Sequence, residues 1–492
     1  MKLVSWNITK ECNLFCQHCY RDAGKKAKGE LSTGEAKELL AEIKKADFSL
    51  VIFSGGEPLL RKDIYELIAY SHKLGLIASL GTNGLLLDSW VAQKLEKLNL
   101  SSVGISIDSP NANHHDYLRQ SQGAWGKAIA ATKNCRKVGL NFQIHTTLSK
   151  DNYLDIPKLV NLSTDLGAAA HYFFFLVPCG RAKQIEERAL SAHEHEQALR
   201  LIIELRTKSK LYLRPVCAPQ FVRLSSQNSN LHPVLARKGG VHHIEKGCLA
   251  GREYCLISPQ GDVYPCPYLP LKVGNVRLAK FSKIWKENSI FEALRGNNLK
   301  GKCARCEFAF YCRGCRANSF YYKKDILEAD PQCSYQPDSY LDEFDKKLIT
   351  CLQEDFPLVL KPFQELADRL NLTQDEVLFR VWRLKAIGII KRIGPIYNPE
   401  KLGFKRTLVA MSVPEHRLAE VAGLVNGLKE VTHNYLRQDS KFNLWFTLIC
   451  PTQERINSIL REIKAKTKVK SIIDLPAIKT IKVKAVFKAK TP

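Results

Sequence analysis

Residues 7–24 read NITKECNLFCQHCYRDAG, and the three cysteines in this stretch decide how the rest of the chain is read. Cys12-x3-Cys16-x2-Cys19 sits on a loop and offers three thiolates. A cubane has four irons, so one iron is left for a small molecule to chelate. A three-cysteine zinc site is the plain alternative. Before the loop, Leu3–Thr9 reads as a β-strand.

Outward from that strand, short β-rich runs alternate with helical patterns. Strands are expected at Leu50–Ser54, Ile77–Gly81, Ser102–Ile107, Phe142–Thr147 and His171–Val177. Helices are expected at Thr33–Lys45, Asp63–Leu74, Asp88–Leu98, Ala124–Val138, Tyr153–Leu166 and Ser191–Lys208. This order predicts an α/β fold, a parallel sheet with outer helices. Chemistry in such sheets gathers at the C-terminal strand ends. Both the cysteine loop and Gly55-Gly56-Glu57 fall on that rim.

The chain has 492 residues, enough for several domains. Its longest nearly apolar stretch, Gly167 to Pro178, is interrupted by His171 and is too short to span a bilayer. The N-terminus reads directly into a strand rather than as a signal peptide. We expect a cytoplasmic protein with no membrane partner. Of 16 cysteines, three lie between Cys12 and Cys19 and eight between Cys248 and Cys333. The other five (Cys135, Cys179, Cys217, Cys351, Cys450) read as small buried apolar residues. A formal charge of +25 favours an anionic partner: nucleic acid, an anionic membrane surface or a polyanionic small molecule.

Five segments follow from composition and pattern. They are the barrel-like region (1–185), a helical and basic connection (186–245), a Cys-, Gly- and Pro-rich segment (246–340), a winged helix-turn-helix (341–398) and a ferredoxin-like β-α-β-β-α-β region (399–492). The third has too few apolar runs for an ordinary core, so bound clusters would organise it. In the fourth, Lys361–Leu370 and Thr373–Ala386 form the helix pair, and Gly388–Gly394 the wing. Thr373 with Glu376 makes a capping box. In the fifth, strands are expected at Thr407–Val413, Val431–Arg437, Asn443–Cys450 and Lys482–Phe487, with helices at Glu415–Val425 and Gln453–Ala465.

The Cys12–Cys19 loop with Gly55-Gly56-Glu57-Pro58 closely resembles the radical S-adenosylmethionine (SAM) superfamily. The resemblance implies a partial (β/α)6 TIM-type barrel and a [4Fe–4S] cluster with an open site for SAM. It places cofactor contacts at His18, Gly55, Gly56, Glu57, Thr82, Asn83, Ser106, Asp108 and Arg119, with Gln143 and His145 as further candidates. Cys248-x6-Cys255-x10-Cys266 followed by Cys303-x2-Cys306-x5-Cys312-x2-Cys315 and Cys333 resembles the SPASM extension of that superfamily. One or two auxiliary [4Fe–4S] clusters are implied, with Cys248, Cys255, Cys266 and Cys315 on one and Cys303, Cys306, Cys312 and Cys333 on the other. Two residues separate Cys312 from Cys315 where three are usual, which leaves the partition open, and paired zinc sites are the alternative.

The tail stretches GIIKRIGPIYNPEKLGF (388–404) and VTHNYLRQDSKFNLWFTL (431–448) resemble siroheme decarboxylases, which share the Lrp/AsnC fold. That implies catalytic His433, Tyr435 and Arg437, with Arg392, Lys405, Arg406 and Arg437 holding carboxylates. FSGGEPLLRKDIYELIAY (53–70) and HYFFFLVPCGRA (171–182) resemble radical SAM enzymes of siroheme-dependent heme and d1-type heme synthesis. The expected substrate is a siroheme-derived tetrapyrrole. The first expectation is removal of acetates from 12,18-didecarboxysiroheme to give iron-coproporphyrin III; heme-synthase-type conversion of propionates to vinyls and d1-type side-chain removal are alternatives. A ferredoxin- or flavodoxin-type electron donor, and a homodimer or second decarboxylase subunit, are the expected partners. Two rivals stand beside this: a SPASM peptide-modifying enzyme, and a DNA-binding regulator reading bases from Thr373–Ala386 with Gln374, Arg380 and Arg383.

Overall fold

The computed structural model describes residues 2–227, 246–337, 341–394, 397–437 and 441–477. The chain forms two compact units: residues 1–345 with 357–389, and residues 346–356 with 390–492.

The first unit is built on β1 (Leu3–Asn7), β2 (Leu50–Ser54), β3 (Ile77–Thr82), β4 (Ser102–Ser106), β5 (Phe142–Leu148), β6 (Ala170–Phe175) and β7 (Tyr212–Val216), parallel and adjacent in chain order. Strand β7 falls where a helical and irregular connection was expected. It occupies the edge of the sheet, where Pro215 can be accommodated without a ladder hydrogen bond. At the other end β8 (Tyr254–Ile257) pairs parallel with β1, so the cysteine-rich segment continues the barrel sheet. Antiparallel β9 (Asp262–Tyr264) and β10 (Gly274–Asn275) complete it.

Outer helices cover this sheet as their apolar spacing dictates. The helix Thr33–Lys45 starts at a reciprocal Ser32–Glu35 capping box and buries Ala36, Leu39, Leu40 and Ile43. They join Val4, Trp6, Val51, Phe53 and Leu80 in the main core.

Of the helix-turn-helix, Pro362–Leu370 and Gln374–Ala386 fall in the first unit. Only half of the expected capping box forms: Thr373 Oγ1 accepts from the Glu376 backbone N–H at 3.2 Å. The Glu376 carboxylate turns away to Arg380 at 2.9 Å and to Tyr311 Oη. Residues 388–394 carry no strand.

The second unit contains a four-stranded antiparallel sheet, ordered β12 (Val431–Leu436), β13 (Leu444–Cys450), β11 (Lys405–Met411) and β14 (Ile472–Pro476). The helices Leu418–Asn426 and Gln453–Thr467 pack on one face through Val421, Val425, Ile456, Ile459 and Ile463. The outer strand beside β11 is thus Ile472–Pro476; the expected strand Lys482–Phe487 lies outside the described residues. No helix among the described residues is long and apolar enough to cross a membrane.

Candidate active site

The cysteine loop is held against the ends of β1 and β2 by backbone contacts that only glycine allows. Gly56 N–H donates to Thr9 O at 2.8 Å, and Glu57 N–H donates to Glu11 O at 2.7 Å. A Cβ at Gly56 would stand 2.1 Å from Glu11 O, and one at Gly55 would stand 2.5 Å from Thr9 O. Gly55 also has φ +147°, which disfavours any side chain. The two glycines thus clamp the loop that carries Cys12, Cys16 and Cys19.

Glu57 is fully buried. Its carboxylate accepts from Thr82 Oγ1 at 2.8 Å, Asn83 N at 2.9 Å and Leu59 N at 3.2 Å. Burial outweighs those donors and pushes its pKa up to about 7. Asn83 Nδ2 in turn donates to Asn13 Oδ1 at 2.7 Å, within the cysteine loop. These residues form one polar cluster at the strand ends.

Asp108 and Arg119 form a buried pair at 2.7 Å. Asp108 also accepts from Thr147 N at 2.9 Å, and His18 Nε2 stands 3.5 Å from it. Burial alone would raise the Asp108 pKa, but Arg119 holds it well below the usual carboxylate range. His18 is pushed down to about 4 by burial. The Arg119 guanidinium reaches to 3.8 Å from Cys16 Sγ.

Arg181 was not among the expected site residues. Its guanidinium donates to Cys16 O, Ala23 O and Asp22, each at 2.9 Å, and lies 3.7 Å over the Phe15 ring. The signal available in the sequence was its place just after β6, on the functional rim.

Cys12, Cys16, Cys19, His18, Gly55, Gly56, Thr82, Asn83, Ser106 and Arg119 all line one cavity of about 1650 Å³. Gln143, His145, Arg206 and Arg214 line it too. His145 packs against Tyr172 and Phe174, and burial pushes its pKa down to about 4. The same cavity is also lined by Cys248, Cys266 and Cys315.

No three His, Cys, Asp or Glu side chains among the described residues close on a single metal ion. A cubane needs a wider set, because each thiolate takes its own iron. The donor chemistry fits such a group: buried free thiols come together in sets. Cys12 is pushed up to about 12, first by burial, with Glu57, Cys16 and Cys19 adding to it. A cationic cluster would relieve that repulsion. Cys306 and Cys312 are likewise raised by burial and then by their neighbours, which include Cys303 and Cys333. Cys255 is different. It lies within β8, opposite Val4, in the apolar core with Ile257 and Phe291. Its thiol is raised by burial, with Arg295 as its charged neighbour.

Gln374–Ala386 is not presented to a nucleic acid groove as a reading helix requires. Arg383 is fully buried on Asp345, and Arg380 pairs with Asp342, Asp345 and Glu376. Phe379 packs on Phe310 of the cysteine-rich segment at 5.4 Å between ring centroids.

In the second unit His433 and Tyr435 share one face of β12, their rings stacked 6.1 Å apart. Both are exposed, and Arg437 follows with its guanidinium 4.7 Å over Trp445. Lys405 is exposed at the start of β11, and Arg406 pairs with Glu400 at 2.9 Å. Arg392 is exposed.

Comparisons with known proteins agree with this layout. The radical SAM superfamily model matches residues 6–163, and the SPASM iron–sulfur cluster-binding domain matches 248–307. The siroheme decarboxylase NirDL-like HTH domain matches 345–391, and the AsnC-like ligand binding domain matches 401–482. An AdoMet-dependent heme synthase of Methanosarcina barkeri is 38% identical over 341 residues, covering 68% of this chain and 97% of that protein. Fe-coproporphyrin III synthase of the same organism is 31% identical over 351 residues, covering 67% and 87%. Among solved structures, Streptococcus suis SuiB bound to precursor peptide SuiA has the same fold over 68% of this chain and 76% of that one (TM-score 0.56, 17% identity). AdoMet-bound anSMEcpe covers 67% and 93% (TM-score 0.51, 18% identity).

The chain belongs to the radical SAM superfamily. It is a SPASM-bearing radical SAM enzyme closely related to AdoMet-dependent heme synthases, with a siroheme decarboxylase-like region behind the cysteine-rich segment. Its cofactors are accordingly SAM and [4Fe–4S] clusters.

Proposed function

We propose that this enzyme acts in heme biosynthesis and converts propionate side chains of an iron porphyrin to vinyl groups. One observation carries the reading: a single cavity of about 1650 Å³ is lined both by Cys12, Cys16 and Cys19 and by Cys248, Cys266 and Cys315. Such a volume accommodates a ligand much larger than most small-molecule pockets hold, roughly 300–1,000 Å³. SAM bound at an open cluster supplies a 5′-deoxyadenosyl radical, and the protein supplies placement and exclusion of water.

Cys12, Cys16 and Cys19 would hold that cluster, Thr82 and Asn83 on the cavity wall would orient the cofactor's polar groups, and buried Glu57 would hold those two in place. Arg206 and Arg214 face the porphyrin carboxylates from the cavity wall. The side-chain reaction balances as follows. One hydrogen atom leaves the carbon next to the ring substituent's CH2–COO⁻ group. The carboxylate departs as CO2, a C=C bond forms and one electron is released per side chain. A cluster on the second thiol set would supply an acceptor for that electron. The higher identity to heme synthases than to Fe-coproporphyrin III synthase supports vinyl formation.

The tail favours a second reading, acetate removal from 12,18-didecarboxysiroheme, because a siroheme decarboxylase-like region would perform the step before it. In either case His433, Tyr435 and Arg437 are the residues for decarboxylation in the tail. Arg392, Lys405, Arg406 and Arg437 would hold the substrate's carboxylates. A ferredoxin- or flavodoxin-type donor would provide the reducing electron, and a second decarboxylase-like unit, from a homodimer or another subunit, would complete the tail site.

The reading is tested by anaerobic incubation of reconstituted protein with SAM, reductant and, separately, iron-coproporphyrin III, 12,18-didecarboxysiroheme and siroheme. Mass analysis distinguishes loss of CO2 with two hydrogens per propionate from loss of acetate. Acetate loss alone would replace vinyl formation with the second reading. No change in any of the three would remove both.

A further inference from the structure

The thiol set around Cys248 contains a member that its spacing in the sequence did not supply. We propose that Cys217 is the fourth protein ligand of the first auxiliary cluster, with Cys248, Cys266 and Cys315, and that Cys255 is a core residue. The proposal goes beyond the choice of tetrapyrrole and holds whichever side chain is the target.

Cys217 directly follows β7, the edge strand whose C-terminal end opens on the cavity. It lines that cavity together with Cys248, Cys266 and Cys315. Cys217 and Cys248 both pack against the apolar cluster that contains Cys266 and Cys315, along with Val177 and Leu269. Cys217 has φ +64°, a conformation that a non-glycine residue adopts where its surroundings impose it. The thiols around it are Cys315, Cys266, Cys248 and Cys179. All are free, so no disulfide explains their convergence.

Strand alternation accounts for Cys255. Tyr254 lines the cavity, whereas Cys255 points from the opposite face of β8 into the core with Val4 and Ile257. Bringing it round would need a one-residue slip of β8 against β1, which would exchange every inward and outward side chain of the strand. Cys217 needs no such change.

The consequence is chemical. Three thiolates would leave one iron of the auxiliary cubane open to the cavity, whereas a fourth from Cys217 closes it. A closed cluster exchanges electrons with the substrate without ligating it.

The test uses the full chain with Cys12, Cys16 and Cys19 replaced by alanine, so that only auxiliary clusters contribute. Into this background go Cys217→Ala, Cys217→Ser, Cys179→Ala and Cys255→Ala, each checked by circular dichroism and gel filtration. Iron and sulfide per chain are measured after anaerobic reconstitution. Electron paramagnetic resonance of the reduced protein is recorded with and without imidazole. We expect C217A either to lose one cluster's worth of iron or to keep a cluster whose signal becomes imidazole-sensitive. C217S should retain more iron than C217A, and C179A and C255A should match the parent. Unchanged iron and signal in a folded C217A would overturn the proposal, as would cluster loss in C255A or C179A with C217A intact. If C217A does not fold, C217S carries the test by the same criteria.

Discussion

Arg119 ties Asp108 to the cysteine loop: its Nε donates to Asp108 Oδ2 at 2.7 Å, while Nη1 stands 3.8 Å from Cys16 Sγ. The carboxylate therefore fixes a cation beside the Cys16 thiol, through an arginine contributed by a different segment of the barrel rim. Asp108→Asn keeps the shape and removes the charge. We expect cluster assembly to persist and 5′-deoxyadenosine formation to fall by about 10–100-fold, as for other partners of metal ligands. Iron content and product yield measured together check this; unchanged turnover would show that the pair does not tune the site.

Gly104 makes room for His145. A Cβ there would stand 2.2 Å from His145 Cε1, so Gly104→Ala must displace the imidazole from the cavity wall. Overpacking of this kind costs about 1–3 kcal/mol. The Gly104→Ala/His145→Ala double variant should recover most of that stability without recovering turnover. A denaturation midpoint and a product assay on the two variants separate packing from function.

The buried Arg383–Asp345 pair gives a prediction about the helix-turn-helix. Arg383→Ala removes one of the two arginines on buried Asp345 and leaves Arg380 at 3.0 Å, so the cost should fall below the roughly 3–5 kcal/mol of a buried charge left wholly unpaired. Chemical denaturation should therefore show a clear loss. Salt-dependent binding to duplex DNA should be the same in parent and variant, because Arg383 is not available to bases. A selective loss of DNA binding in a stably folded variant would revive the regulator reading.

Burial pushes His195 down to about 3 and His171 to about 3, from 6.5. Above pH 6.5 neither state takes up the proton and the native form keeps its full advantage. As pH falls from 6.5 toward 3, the unfolded chain binds protons that the native fold refuses. Each histidine then removes about 1.4 kcal/mol of stability per pH unit. His195 packs on Phe175 at 4.4 Å, so His195→Phe keeps an aromatic ring there. The fall in Tm between pH 7 and pH 5 should be shallower in this variant than in the parent.

In the tail, His433→Ala in the full chain should abolish loss of CO2 from siroheme and leave SAM cleavage unaltered. Coupled loss of both activities would contradict independent chemistry in the two regions.

Strong periodicity made much of the barrel legible. Leu50–Ser54, Thr33–Lys45 and Ala124–Val138 have the expected bounds, and the other expected barrel strands shift by a residue or two at their ends. Strand β7 was missed because Tyr212–Val216 contains Arg214 and Pro215, a composition tolerated at an edge and read as loop. Cys217 directly follows that strand, so the same miss left its place on the cavity unread. Spacing alone could not show that Cys255 faces the core, since that depends on the register of β8 with β1. Glu376 could not be known to abandon its cap, because Tyr311 and Arg380 come to it only in the fold. The cysteine loop and Gly55-Gly56 were visible as a local pattern; Arg181, whose partners lie 158 residues or more away in sequence, was not.

The most direct test of the account follows the hydrogen atom. Iron-coproporphyrin III deuterated at the propionate carbons next to the ring is incubated anaerobically with the reconstituted enzyme, SAM and reductant. Deuterium should appear in 5′-deoxyadenosine in step with formation of vinyl groups. Unlabelled 5′-deoxyadenosine beside an unchanged porphyrin, with its yield raised only by an added peptide, would contradict the tetrapyrrole assignment.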